Sequence, residues 1–222
     1  MSYGFVAYNS SGYLLIDNTY QNLSLQVKQT FSLSSGATTT VTYSNGVSPL
    51  LFINSSGYTG ILQFGVSGTT YTWIIHCAST STGSFYIFDQ PLANATTGYG
   101  MIVRNAAGSQ VFNSTNKYLR VVDLLSVSFS RSGDVGVSGP TVNATYPSAT
   151  YAVCVAQPRA NVILSSGGNT LTVDGIQTTS TGVSIACNNS VTYPYGTVLP
   201  YTVGLFQGSG SVPAMVCNVS GY

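Results

Sequence analysis

The sequence predicts an all-β protein: two tandem antiparallel β-sandwich units, Ig-like or jelly-roll-like, related by an internal repeat. Three observations carry this. The opening phrase Tyr3 to Gly12 returns without gaps as Tyr99 to Gly108, and the register holds through Leu15/Val111, Ile16/Phe112, Thr19/Thr115 and Leu23/Leu119. Apolar and polar residues alternate with a period of two. Turn residues recur at short intervals throughout.

The strands can be read in order. Leu23, Leu25, Val27 and Phe31 share one parity, with Ser24, Gln26 and Lys28 on the other. Tyr71, Trp73, Ile75 and Cys77 form a second face, and Leu125, Val127 and Phe129 a third. Tyr151, Val153 and Val155, and then Val183, Ile185 and Cys187, complete the set. One apolar and one polar face is the pattern of an antiparallel sheet covering a core. Ser, Thr, Gly, Val and Tyr dominate, which leaves no segment that favours a helix.

Turns separate these runs. Asn9 to Gly12 and Asn105 to Gly108 place Asn first and Gly fourth: the asparagine side chain accepts from the turn backbone, and glycine takes the positive φ that closes the hairpin. Asn54-Ser55-Ser56-Gly57 reads as a third copy of the same turn. Ser44-Asn45-Gly46, Gly167-Gly168-Asn169 and Asp174-Gly175 add further punctuation. The boundary falls in the small, polar, proline-bearing stretch after Phe88, so residues 1–91 form the first unit, 92–98 a linker and 99–222 a larger second unit. The alternative is one continuous sandwich with the repeated hairpins in pseudo-symmetric places.

Composition narrows the function. Only 5% of residues are charged and the net charge is +1, against roughly 25% charged in an average soluble protein. A surface so sparsely charged favours association, and much of it is expected to be covered by neighbours. The six cations, Lys28, Arg104, Lys117, Arg120, Arg131 and Arg159, are spread along the chain and give no basic patch, so nucleic acid is not an expected partner. No apolar run reaches the ~18 residues of a membrane-spanning helix. The first residues show no secretion signal, so the chain is expected to fold where it is made, with Cys77, Cys154, Cys187 and Cys217 as reduced, buried thiols. A Cys154–Cys217 or Cys187–Cys217 bridge stays open for an oxidising medium. The cysteine spacings match no metal-ligand pattern, and no metal or cofactor is expected.

Catalytic candidates are few. His76 and Cys77 are neighbours, but adjacent strand residues point to opposite faces and cannot share a proton. Asp89 and Asp123 could form a carboxylate pair only if the fold brought them together; Asp89 and Asp174 read more simply as turn caps. No phosphate loop, nucleophile elbow or zinc-protease motif occurs, and no enzymatic activity is expected. Tyr86, Tyr99, Tyr118, Tyr193, Tyr195 and Tyr201 are numerous enough for some to serve recognition, since an exposed tyrosine offers rigid area and a polar tip.

The run from Phe85 to Asp123 resembles a family of tailed-bacteriophage tail-tip and tail-fibre-associated proteins. The motifs are Phe85-Tyr86-Ile87-Phe88-Asp89-Gln90-Pro91, then Gly98-Tyr99-Gly100-Met101-Ile102, then Val111-Phe112-Asn113-Ser114 and Lys117-Tyr118-Leu119-Arg120-Val121-Val122-Asp123. Met1 to Phe5 with Asn9 to Gly12 has the same look, and the family's Phe-Asp-Ser step stands here as Phe112-Asn113-Ser114. The resemblance implies a virion structural protein of the tail (tip, baseplate or fibre). It would be made in the bacterial host cytoplasm and assembled as a homo-oligomer with other phage tail proteins, with a role in host attachment and no catalytic residues. The rival readings are a receptor- or glycan-binding module and a capsid decoration protein.

Overall fold

Alternation in this sequence is frequent and strong, and strands are what it produces. The structure is a computed structural model that describes residues 6–8, 10, 14–17, 22–91, 100–129, 141–156, 160–165, 168–193 and 210–222. Among them, the regular elements are all strands. The first half carries β1 (Val6–Tyr8), β2 (Leu14–Asp17), β3 (Ser24–Leu33), β4 (Thr38–Tyr43), β5 (Leu50–Ser55), β6 (Thr59–Ser67), β7 (Thr70–Cys77) and β8 (Ser81–Asp89). The second carries β9 (Ile102–Arg104), β10 (Gln110–Asn113), β11 (Val121–Phe129), β12 (Val142–Thr145), β13 (Tyr151–Val155), β14 (Ala160–Ser165), β15 (Gly168–Thr179), β16 (Gly182–Tyr193) and β17 (Gly210–Asn218).

Two large antiparallel sheets face each other as a sandwich. One has six strands in the order β11-β17-β13-β5-β8-β3, and the other runs β12-β16-β15-β6-β7-β4, with β14 also paired to β15. Each order reads as the same pattern from either edge: β3, β8 and β5 answer to β11, β17 and β13, while β4, β7 and β6 answer to β12, β16 and β15. At the centre of each sheet the corresponding strands meet antiparallel, Ile53 opposite Val153 and Thr59 opposite Ile176. Antiparallel pairing of corresponding strands is what an approximate two-fold axis through both sheets requires. Residues 1–91 and 99–222 thus contribute strands to both sheets, and one core lies between them. The expected linker, 92–98, lies outside the described residues.

The duplication extends to register. The β1–β2 hairpin pairs Val6 with Asp17 and the β9–β10 hairpin pairs Ile102 with Asn113, each member 96 residues from its counterpart. Both hairpins slip register at corresponding places, between Tyr8/Leu14 and the pair before it, and between Arg104/Gln110 and the pair before it. A bulge at Gln26 in β3 likewise matches one at Val122 in β11. Bulges re-aim side chains, and here the effect is visible. Leu23 and Leu25 pack on the outer face of the six-stranded sheet while Val27 and Phe31 face the inter-sheet core, so the single parity expected across Leu23–Phe31 is broken at the bulge.

Three central strands bury both faces. Leu51 and Ile53 on β5, Phe85 and Ile87 on β8, and Val153 and Val155 on β13 point between the sheets. Their neighbours Phe52, Tyr86, Phe88, Ala152 and Cys154 form a second cluster on the outer face. Such two-sided burial explains the near-continuous apolar runs in these strands.

Two expected turns are corrected. Asn54-Ser55-Ser56-Gly57 is not a hairpin: β5 and β6 belong to different sheets, and this segment is the corner between them. Asn54 lies inside β5, where its Nδ2 donates to Tyr151 O at 2.7 Å and Thr178 Oγ1 at 2.8 Å, tying the halves together. Gly57 is absent from the positive-φ glycines and instead packs its backbone against Ser81, whose Oγ accepts from Gly57 N at 3.1 Å. The buried Ser55, Thr59 and Ser81 hydroxyls bond to one another at 2.6–3.2 Å and satisfy the corner. Asp174-Gly175 also forms no turn; it sits within β15, where the register shifts between Val173 and Asp174.

Candidate functional site

The outer face of the six-stranded sheet is where the halves are laced together. The segments leading into β3 and β11 cross on this face: Ser24 bridges Tyr118, Leu25 N donates to Lys117 O at 2.8 Å and Leu119 N donates to Leu23 O at 2.9 Å. Leu23, Leu25 and Leu119 thereby roof the cluster of Phe52, Tyr86 and Phe88. Leu23 and Leu119 are corresponding residues of the repeat, so this crossing also lies on the two-fold.

Tyr222 docks beside the crossing, and the cations collect on it. Arg120 lies over its ring, Cζ 4.5 Å from the centroid, and Lys117 Nζ stands 5.8 Å from the same centroid. Lys28 Nζ donates to Tyr222 O at 2.7 Å and lies 5.6 Å from the Tyr86 ring. Phe88 supports the ring at 5.9 Å, and the Tyr222 hydroxyl donates to Tyr118 O. Burial pushes the Tyr222 hydroxyl pKa up, with Arg120 pulling the other way. Tyr118 in turn stacks on Phe112 at 5.0 Å and accepts from Asn113 N at 2.6 Å through its hydroxyl. Three of the chain's six Lys/Arg residues thus meet on one aromatic surface. No basic patch shows along the sequence because Lys28 lies far from Lys117 and Arg120 in the chain; only the crossing joins them. Chemically, cations exposed beside half-buried rings can hold an anionic or hydroxyl-rich ligand by ion pairing and stacking.

A second surface lies at the sheet edge. β11 ends the six-stranded sheet, and Val121, Val122 and Leu124 are 49%, 42% and 65% exposed. Asp123 between them turns inward, accepting from the Tyr146 hydroxyl at 3.0 Å, and burial together with Asp123 pushes the Tyr146 pKa up.

The remaining sequence candidates fall as follows. Asn105 Oδ1 accepts from Ala107 N at 3.1 Å and Ser109 N at 2.9 Å, and Gly108 has φ +81°, so this turn is closed by its asparagine and glycine. Asn9 and Gly12 lie outside the described residues. Asn113 Oδ1 accepts from Thr115 N and Thr115 Oγ1 at 3.0 and 2.8 Å, so an amide oxygen performs the turn-capping at the step where the resembled family carries Asp. Asp89 is buried, and its carboxylate accepts from Val47 N, Ser48 N and Gln90 N at 2.8–3.0 Å, tying the loop before β5 to the end of β8. Asp123 bonds elsewhere, to Tyr146.

His76 and Cys77 are both buried, and Cys77 Sγ donates to Ser34 O at 3.2 Å. All four cysteines are buried; burial pushes the Cys154 and Cys217 thiols up to about 12. Tyr86 is core, Tyr118 is half-buried in the roof, and Tyr99, Tyr195 and Tyr201 lie outside the described residues, as does the side chain of Tyr193. A cleft of about 250 Å³ opens beside the seam, with Leu51 and Val155 at its sides and Phe64 and Trp73 on the opposite sheet.

No family model, curated protein or solved structure matches the chain.

Proposed function

We propose that this chain is a non-enzymatic structural protein of a phage tail, a component of the tip, baseplate or fibre, that serves as an assembly scaffold. The single observation that carries the reading is a duplicated, two-fold β-sandwich whose surface is nearly free of charge and whose sheet ends in an exposed apolar strand. Such a body is stiff, because its central strands are buried on both faces, and it gains by burying surface against neighbours. The tail-protein resemblance of residues 85–123 supplies the setting: synthesis in the bacterial cytoplasm, then incorporation beside other tail proteins. Immunogold labelling of intact particles with an antibody to this chain tests it. Label at the distal tail is the expected result. Label on the head would favour the capsid-decoration reading, and unlabelled particles that lack the chain would refute a virion role.

Host attachment is a second reading, favoured by the Lys28, Lys117 and Arg120 cluster around Tyr222. An acidic or hydroxyl-rich surface polysaccharide fits this chemistry. Titration of the purified chain with host surface polysaccharide should show binding that the K117A/R120A double variant loses about tenfold or more, because each charge-assisted contact contributes on the order of 1–2 kcal/mol. Equal binding by both proteins would remove the cluster from consideration.

A further inference from the structure

We propose that the cleft beside the seam is a socket for an uncharged aromatic side chain, with phenylalanine the best fit, which a neighbouring protein inserts between the two sheets. The inference rests on the assembly reading and names the chemistry of one of its contacts.

The internal repeat shows what this place holds when it is filled. In β3 and β11 the last pairs before the matching bulges are Leu25 with Phe88 and Val121 with Cys217, so Phe88 and Cys217 correspond. Phe88 pairs with Leu50 and Cys217 with Ala152, which sets Pro49 against Tyr151, Leu51 against Val153 and Asn54 against Ala156. Counted from the hairpin ends Ser67/Thr70 and Thr179/Gly182, Phe64 and Trp73 correspond to Ile176 and Ile185. The two-fold therefore carries the cleft onto the other end of the β5–β13 seam. There the space is occupied. Tyr151 is buried in the core between the sheets with the Tyr146 ring 5.1 Å away, and Asn54 Nδ2 reaches across the seam to Tyr151 O at 2.7 Å. At the cleft the same two positions are Pro49 and Ala156, both on its wall. Neither has an aromatic ring to fill the gap, and Ala156 has no side-chain donor to span it. Phe64 and Trp73 are larger than the isoleucines they answer to and take up part of the room. About 250 Å³ is left over.

Size and lining select the occupant. An apolar cavity of about 150 Å³ takes benzene, so this cleft has room for a ring with a substituent. Phe64 and Trp73, their centroids 5.6 Å apart, form one wall, and Pro49, Leu51, Ile61 and Val155 complete the lining around them. No lining side chain carries a charge or a hydroxyl, so a sugar or an anion would leave its polar groups unpaired there. The cleft reaches the surface beside Ala156, which is exposed, so a side chain can enter from outside.

The test uses Trp73, which lines the cleft and is the chain's only tryptophan, so its fluorescence reports on this site alone. Toluene titrated into the full chain should shift the emission and saturate with a Kd on the order of 1 mM, and acetyl-Gly-Phe-Gly-amide should bind within about tenfold of that. Pro49→Tyr, which installs the residue that the other half carries, should weaken both by about tenfold or more, and methyl glucoside should give no shift. A titration with toluene that does not saturate overturns the proposal, and so does undiminished binding by Pro49→Tyr or a stronger response to the glycoside. A response to toluene without one to the peptide also overturns it, because a partner's side chain could not then enter. If the variant does not fold, methyl NMR of the wild type decides. Toluene should move the Leu51, Ile61 and Val155 methyl resonances and leave Val183 and Ile185 at the other end unmoved, and any other pattern refutes the site. Failure here leaves the tail assignment to be judged by particle labelling, and a chain absent from particles leaves the titration standing.

Discussion

Gly83 should be the least replaceable glycine among those whose surroundings are described. It lies in β8 between Phe31 of β3 and Ser55 of β5, and a Cβ there would stand 2.0 Å from Asn54 O and 2.9 Å from Phe31 Cζ. The phenyl ring could swing, but the Asn54 carbonyl belongs to a central strand and would have to retreat by roughly an ångström. Asn54 also anchors Tyr151 O and Thr178 Oγ1, so its movement loosens the seam between the halves. Forced overpacking of this kind costs typically 1–3 kcal/mol, and the clash with backbone puts Gly83→Ala at the upper end, about 3 kcal/mol. With an m-value of about 2–3 kcal/mol/M in urea, the unfolding midpoint should fall by about 1 M. Gly65→Ala is the control: its Cβ would meet nothing within 4 Å and its φ is not positive, so the midpoint should hold or rise slightly. Equal midpoints for the two variants in urea, followed by intrinsic Trp73 fluorescence, would refute this account of how β5 and β8 pack.

Other expectations concern the ties around the core. Asp89→Asn leaves one acceptor oxygen for three backbone donors, and should cost about 1–3 kcal/mol in urea unfolding, with faster hydrogen exchange at Val47 and Ser48. Asn105→Ala should loosen the β9–β10 hairpin by about 1 kcal/mol, seen as faster exchange at Ala107 and Ser109 with the global midpoint nearly unchanged. Alkaline pH should destabilise the fold. The native Cys154 and Cys217 thiols hold their protons to about pH 12, while unfolded thiols release theirs near pH 9, so the unfolded state binds fewer protons and stability falls between those values. With both thiols contributing, the loss reaches up to roughly 3 kcal/mol per pH unit, and Cys154→Ala should flatten the slope of the midpoint against pH.

The sheet content was legible because alternation is a local signal: Leu125, Val127 and the Tyr71–Ile75 face lie on the inter-sheet core as their spacing implies. The repeat was legible because both copies keep the Tyr-Gly opening and the Asn and Gly of the turn at the same spacing. What escaped the sequence was whatever depends on partners far along the chain. Asn54 to Gly57 has the residues of a hairpin turn, but β5 pairs with β8 and β13, and the same serines serve a sheet-to-sheet corner. Gln26 carries no mark of a bulge, so the parity of Leu23 to Phe31 looked continuous. The cation cluster was hidden for a similar reason, since Lys28, Lys117 and Arg120 meet only through the crossing near Ser24 and Tyr118.

A body with two-fold internal symmetry has no intrinsic head or tail: a neighbour that grips one end finds nearly the same handhold at the other. Any directionality in a structure built from this chain must therefore come from where the halves differ, such as Lys28 against Leu124 and the added strand β14 beside β15.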